Sequence, residues 1–204
     1  MNDISRDELV LLYTDKKLSV AQIAKTRRCS ESKVNYWLTQ YRISKRSISD
    51  AVYAKHNPHG DPFLFRKPTS MDEMFLYGLG VGLYWGEGTK KNKTSVRLGN
   101  SNPDLIKKFV QFLMATYQAD RKKIRFGLQI FGDMSQRKAV RFWTQKLSIN
   151  RSQIMKTIVV TPHRSIGNYR EKSKYGVMTA YFNNRKLRDI LCTTIDNIAM
   201  DKPM

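Results

Sequence analysis

The stretch Leu76-Tyr77-Gly78-Leu79-Gly80-Val81-Gly82-Leu83-Tyr84-Trp85-Gly86-Glu87-Gly88 constrains the fold of this chain more than any other. It is apolar on every side, dotted with glycines and closed by a lone carboxylate. Each glycine costs a helix roughly 1 kcal/mol relative to alanine, so a helix accepting Gly78, Gly80, Gly82 and Gly86 must regain that through packing. Gly78, Gly82 and Gly86 recur every fourth residue and form one small-residue strip, along which a second backbone can lie unusually near. Glu87 then sits at the end of the contact. The same residues also suit a buried helix of an ordinary core, with Glu87 pointing into water.

The charge indicates what surrounds such a helix. Lys and Arg outnumber Asp and Glu by 37 to 17, a net charge of +20, which points to a polyanionic partner. Residues 1–70 carry net +6 and residues 71–204 net +14, so both parts are expected to touch phosphate. No apolar run reaches the roughly 18 residues of a membrane span, and no basic amphipathic helix offers a Trp or Leu face to a bilayer. Nucleic acid is therefore the expected partner, with no membrane. Met1 to Leu12 holds Asp3, Arg6, Asp7 and Glu8 where a secretory leader needs an apolar core, so cytoplasmic residence beside the nucleoid is expected. Cys29 and Cys192 stand far apart without a neighbouring His or Cys, which indicates neither a disulfide framework nor a zinc site.

At the N-terminus, Ser5 precedes a helix with Leu9, Leu12 and Tyr13 on its apolar face, and Ser19 caps a short helix carrying Ile23 and Ala24. Ser30 or Ser32 then opens a third helix through Val34, Tyr36, Trp37 and Leu38. The phrases Leu18 to Ala24 and Ser30 to Leu38 resemble the helix-turn-helix of resolvases, transposases and many bacterial regulators. Arg28 stands where such turns usually have Gly, and Tyr41-Arg42-Ile43 where Tyr-Gly-Ile is common; neither change forbids the fold, because the turn can adopt other backbone angles, and each adds a positive charge near the expected DNA backbone. In that geometry the third helix enters the major groove, which implies DNA contacts from Ser30, Ser32, Lys33, Asn35 and Tyr36, with Arg27 and Arg28 on phosphate. Val34, Trp37 and Leu38 are expected in the core.

Ser44-Lys45-Arg46-Ser47 continues the basic character, with Arg46 a further DNA contact, and a short helix is expected from Ile48. His56-Asn57-Pro58-His59-Gly60-Asp61-Pro62 and Lys67-Pro68-Thr69-Ser70 are turn-forming, so residues 48–70 read as a basic linker between a domain over 1–47 and another over 71–204. His56, His59 and Asp61 have no rigid frame to hold them at metal-ligand spacing.

Beyond the linker, residues 94–98 alternate as a strand, Asn102-Pro103-Asp104 opens a helix through Tyr117, and Ile124 to Ile130 alternate again. Ser135 to Leu147 reads as a helix, strands follow near 154–160 and 177–183, and Leu187, Ile190, Leu191, Ile195 and Ile198 mark a last helix. Ser95, Arg97, Arg125, Gln129, Thr179, Tyr181 and Asn183 fall on the polar face of the implied sheet. A basic loop over 162–175 holds His163, Arg164, Arg170, Lys172 and Lys174, of which Lys174 is a candidate DNA contact. Lys156, Lys174 and Lys186 are candidates for assisting a transition state, and no spacing argument chooses between them.

Here the opening stretch becomes specific. Gly80-Val81-Gly82-Leu83-Tyr84-Trp85-Gly86-Glu87-Gly88 resembles, position by position, the nine-residue signature of the LAGLIDADG homing endonucleases, and the element order over about 71–200 extends the resemblance. The resemblance implies an α+β chain: an all-α helix-turn-helix domain, then an αββαββα-like domain whose antiparallel sheet faces DNA. It also implies that Gly82 and Gly86 line a helix contact with a second half and that Glu87 is the acidic, catalytic Mg²⁺ ligand; Trp85 replaces the first acid of the signature. The helix at 135–147 and an extra strand exceed the minimal pattern. One carboxylate per chain is too few for a metal site and only one signature copy is visible, so a homodimer through Gly78, Gly82 and Gly86 is expected. The function expected is sequence-specific duplex binding and Mg²⁺-dependent phosphodiester cleavage of homing type. The alternative is a transcription regulator on a catalytically inactive scaffold of the same kind.

Overall fold

The computed structural model describes residues 3–57, 60–160 and 173–200, and the chain divides into two compact units, Met1–Pro62 and Phe63–Met204. The first unit is helical. Helix α1 (Arg6–Val10) continues as a π-helical turn (Leu11–Asp15), followed by α2 (Val20–Thr26), α3 (Glu31–Gln40) and α4 (Ile48–His56). Serines begin them: the Ser19 hydroxyl accepts from the Gln22 N–H while the Gln22 side chain accepts from the Ser19 N–H, and Ser30 accepts from the Lys33 N–H at 3.2 Å. Ile4, Leu9, Tyr13, Ile23, Ala24, Val34 and Leu38 form its core. Trp37, expected inside, is half-buried at the rim, stacked on Tyr41 at 5.2 Å.

The turn between α2 and α3 keeps the backbone angles of a glycine-containing turn. Arg28 itself takes the left-handed conformation (φ 50°) that glycine would occupy, and so does Arg42 (φ 52°). The backbone geometry is thus kept without the residue best suited to it, at roughly 1–2 kcal/mol for each side chain held there.

The expected linker is not one segment. Residues 48–56 form α4, whereas Phe63 is buried in the second unit and a strap beyond it is bound to that unit's backbone. Leu64 N–H donates to the Tyr117 carbonyl at 2.9 Å and Arg66 N–H to that of Thr116 at 2.7 Å. The apolar Phe63, set between turn formers, is what anchors the strap.

The second unit contains α5 (Met71–Glu87), β1 (Val96–Asn100), α6 (Pro103–Tyr117), β2 (Ile124–Phe131), α7 (Gln136–Leu147), β3 (Ile158–Val160), β4 (Val177–Phe182) and α8 (Arg185–Ala199). Short 3₁₀ turns at Arg121–Lys123 and Arg151–Gln153 precede β2 and β3. The sheet order is β1-β4-β2-β3. Strand β4 pairs antiparallel with both β1 and β2, but β3 runs parallel to β2, so the sheet is mixed and not antiparallel throughout as expected. The cause is α7, which carries the chain back to the start of the sheet so that β3 re-enters in the direction of β2, as a crossover connection must. The strict αββαββα order is corrected likewise, since α6 and α7 follow single strands. An isolated antiparallel bridge joins Gly88 to Leu98, and Thr89 N–H donates to the Arg97 carbonyl at 2.9 Å.

One face of the sheet supplies Leu98, Phe126, Leu128, Met178, Ala180 and Phe182 to a core completed by Phe109, Phe112, Trp143, Leu187 and Leu191 from the helices. The Trp143 indole N–H is satisfied by the Tyr175 carbonyl at 2.8 Å. The other face carries the alternate residues of the same strands and is polar.

Candidate nucleic-acid interface

Helix α5 begins at Ser70, whose hydroxyl accepts from the Glu73 N–H. The Glu73 carboxylate in turn accepts from the Thr69 N–H (2.8 Å) and hydroxyl (2.9 Å) and pairs with Arg66 at 2.9 Å. Those Thr69 donors, with Arg66 beside them, hold the Glu73 carboxyl below its ordinary value. The helix has two sides. On one, Gly80, Val81 and Tyr84 are buried, and a Cβ at Gly80 would lie 2.0 Å from Cγ of Phe112 on α6. On the other, a Cβ at Gly78, Gly82 or Gly86 would meet nothing within 4 Å. Large apolar side chains continue that open side: Met71 is 80% exposed, Phe75 70%, and Met74 and Trp85 about half. The sequence pattern located the glycines but not the Met71, Met74 and Phe75 extension, which the i, i+3, i+4 spacing from Gly78 places on the same side.

Glu87 is the last residue of α5, one position beyond Gly86. It is exposed and, among the described residues, makes no hydrogen bond or ion pair. Its helix end is fixed from both sides, because the Lys90 ammonium donates to the Trp85 carbonyl and Arg188 donates to the Lys90 carbonyl. The Tyr84 hydroxyl is buried without a hydrogen-bond partner among the described residues, and burial pushes its pKa up to about 12. Among the described residues no three His, Cys, Asp or Glu side chains gather as a metal-binding group.

On the open sheet face, Arg97, Tyr181 and Arg125 stand in one row across β1, β4 and β2, while Thr179 stands between Gly99 and Gly127 in the next. Gln129 follows beside Val177 and Ile158. Arg97, Arg125, Gln129, Thr179 and Tyr181 therefore share the face that their alternation implied. Ser95 does not: it is 1% exposed, its hydroxyl donating to Asn92 Oδ1 at 3.0 Å and accepting from Arg97 Nε at 2.7 Å. Asn183 is exposed beyond the end of β4. Arg125 donates from Nη1 to the Ser152 carbonyl at 3.2 Å. Lys174 is exposed, with its ammonium 5.6 Å from the Tyr175 ring centre. His163, Arg164, Arg170 and Lys172 lie outside the described residues.

In the first unit, Ser32 and Tyr36 are exposed on α3, and Lys33 and Asn35 are half-buried. Ser30 is occupied as the α3 cap. Arg28 is exposed, but Arg27 pairs with Glu8 at 3.1 Å and so is partly neutralised. Arg46 departs furthest from its expected DNA role. Its backbone N–H donates to the Tyr13 hydroxyl (3.0 Å), its guanidinium donates to the Lys17 (2.8 Å) and Leu18 carbonyls, and its Cζ lies 4.3 Å from the Tyr13 ring centre. Arg46 is a staple that ties the C-terminal part of this unit to the α1–α2 connection. Sequence cannot separate such an arginine from a free one, because both appear as a basic residue in a polar segment.

Among the described residues, no helix is long and apolar enough to cross a membrane. No family model, no curated protein and no solved structure matches the chain.

Proposed function

We propose that the chain is a homodimeric, site-specific duplex-DNA endonuclease of the LAGLIDADG homing type, with a helix-turn-helix that adds contacts to each half-site. The observation that carries this reading is the open side of α5, an apolar and glycine strip on a helix whose last residue is Glu87, exposed and unpaired among the described residues. A twofold contact along Gly78, Gly82 and Gly86 covers that strip with itself and brings two Glu87 carboxylates together, one addressing each DNA strand. The topology supports it as well. If the Gly88–Leu98 bridge counts as a first strand and α7–β3 as an insertion, the remaining elements run αββαββα with antiparallel pairing throughout.

A carboxylate free of internal partners suits a hard divalent cation. Mg²⁺ is commonly held by one or two carboxylates together with substrate phosphate oxygens, so two Glu87 side chains would form a sufficient protein contribution. When bound, the cation supplies charge for the phosphoryl oxygen and a more acidic water. The chain's own part is to fix Glu87 through the Lys90 and Arg188 contacts at the α5 terminus and to present cations and hydrogen-bond donors to the duplex.

A second reading, a regulator on the same scaffold, is favoured by one feature. Trp85 stands where the signature's first acid is expected and is itself part of the open strip, so each α5 terminus offers a single acid. Incubating the purified protein with Mg²⁺ and duplex DNA spanning its own gene's locus separates the two. The nuclease reading expects nicking or cutting by wild type and retained binding without cleavage by Glu87→Gln. Binding without cleavage by wild type supports the regulator, and equal cleavage by Glu87→Gln removes that residue from the chemistry.

A further inference from the structure

The geometry points to Arg97 as a base reader, a preorganised guanidinium that selects guanine in the major groove, positioned by buried Ser95 and its hydrogen bond to Asn92. The inference rests on the duplex-binding reading and adds to it what one side chain recognises.

Three constraints act on Arg97. Its Nε–H donates to the Ser95 hydroxyl at 2.7 Å. That hydroxyl is buried, and its own proton goes to Asn92 Oδ1. Asn92 Oδ1 also accepts from the Thr94 and Ser95 backbone N–H groups, each at 3.0 Å, so it cannot swing away without opening the turn. On its flat side, the guanidinium carbon stands 5.1 Å from the centre of the Tyr181 ring. Tyr181 is itself placed by Gly127, where a Cβ would come within 2.9 Å of the ring. The guanidinium plane is therefore set at one edge and one face.

What remains free is the Nη1/Nη2 edge, which makes no hydrogen bond among the described residues. That edge carries two parallel N–H donors and matches the O6 and N7 acceptors of guanine, the commonest specific contact in the major groove. A phosphate contact needs no such fixation, because it fixes register and carries no sequence information. Arg125 and Arg46 differ: Arg125 has an Nη1 hydrogen bond to a carbonyl, and Arg46 has its guanidinium on two.

The test uses the full-length protein and a pool of random-sequence duplexes, with bound molecules sequenced for wild type, Arg97→Ala, Arg97→Lys and Ser95→Ala. Thermal melts confirm that each variant is folded. Wild type is expected to enrich a guanine at a position where both Arg97 variants lose the preference, by about 5- to 150-fold. Ser95→Ala keeps the charge and is expected to lose part of the same preference with no change in the salt dependence of binding. Replacing that guanine with 7-deazaguanine, which lacks N7, is expected to weaken wild type and leave Arg97→Ala unaffected. Uniform weakening across all sequences in Arg97→Ala, with a salt slope smaller by about one, would make Arg97 a phosphate contact and overturn the inference. An unaltered preference in both Arg97 variants overturns it too, while leaving duplex binding standing. Failure of wild type to bind any duplex instead removes the functional reading beneath it.

Discussion

The two sides of α5 carry the same residue type under opposite conditions. At Gly80 the absent side chain is filled by the Phe112 ring, so close packing between α5 and α6 offsets the poor helix propensity of glycine. At Gly78, Gly82 and Gly86 nothing among the described residues approaches, and about 1 kcal/mol per residue of lost propensity has no compensating contact there. The difference teaches that glycine content alone does not locate a helix contact. Gly80 accounts for packing within one chain, and the other three are the positions at which the proposed dimer is tested.

Substitution at the packed side has the largest expected effect. Gly80→Ala forces a methyl group against a ring that is itself fully buried, which should lower stability by about 2 kcal/mol after the gain in helix propensity. Thermal or urea melts measure it, and an unchanged midpoint would mean that Phe112 moves aside freely and that the two sides are equivalent. Gly82→Leu acts on the other side. It should stabilise dilute, monomeric protein by up to about 1 kcal/mol, because leucine is nearly as good a helix former as alanine, and shift sedimentation from dimer to monomer; a persisting dimer would place the contact elsewhere. Gly82→Ala sharpens the contrast by its sign. With open space at the Cβ position, monomeric protein should gain up to about 1 kcal/mol, opposite to Gly80→Ala.

The start of the helix responds to acid. Because the Thr69 donors and Arg66 lower the pKa of Glu73 in the folded chain, its contribution is present above the ordinary carboxylate value and is lost as pH falls through the depressed one. Melts of wild type and Glu73→Gln should differ at neutral pH and converge in acid. Glu73 is exposed at the surface, so the difference should be small, and a gap that persists in acid would assign the effect to something other than its charge.

Much of this arrangement could be read before the fold was known. The caps at Ser5, Ser19 and Ser30 and the alternation of Ile124 to Ile130 lie where local rules put them, since capping and pleating are set by neighbouring residues. What escaped was decided by tertiary partners. Ser95 shares the parity of Arg97 along the chain, yet it lies just before β1, turned inward to Asn92. Arg27 and Arg46 looked like free cations until Glu8 and two carbonyls were brought to them by folding. The parallel course of β3 depended on where α7 delivers the chain, which strand patterning cannot specify. The glycine strip and Glu87 were visible as a pattern, but which glycine meets a neighbour required the position of Phe112.

The smallest expected effect probes whether the packed side depends on shape or on a polar contact. The Tyr84 hydroxyl is buried with no hydrogen-bond partner, so it stays desolvated without compensation, whereas its ring stacks on Phe109 at 6.0 Å. Tyr84→Phe keeps the ring and removes the orphan oxygen, and stability at neutral pH should be unchanged or slightly higher. Alkaline pH supplies the second measurement. The unfolded tyrosine ionises near pH 10, while burial holds the folded one protonated to about 12, so its contribution is complete below pH 10 and declines as pH rises to about 12. Wild type should therefore lose stability over that range faster than Tyr84→Phe. Tyr117, also raised by burial, is common to both proteins and cancels in the comparison. A marked loss in Tyr84→Phe at neutral pH would reveal a hydroxyl contact that holds α5 in place, and the packed side would then rest on more than the Gly80–Phe112 fit.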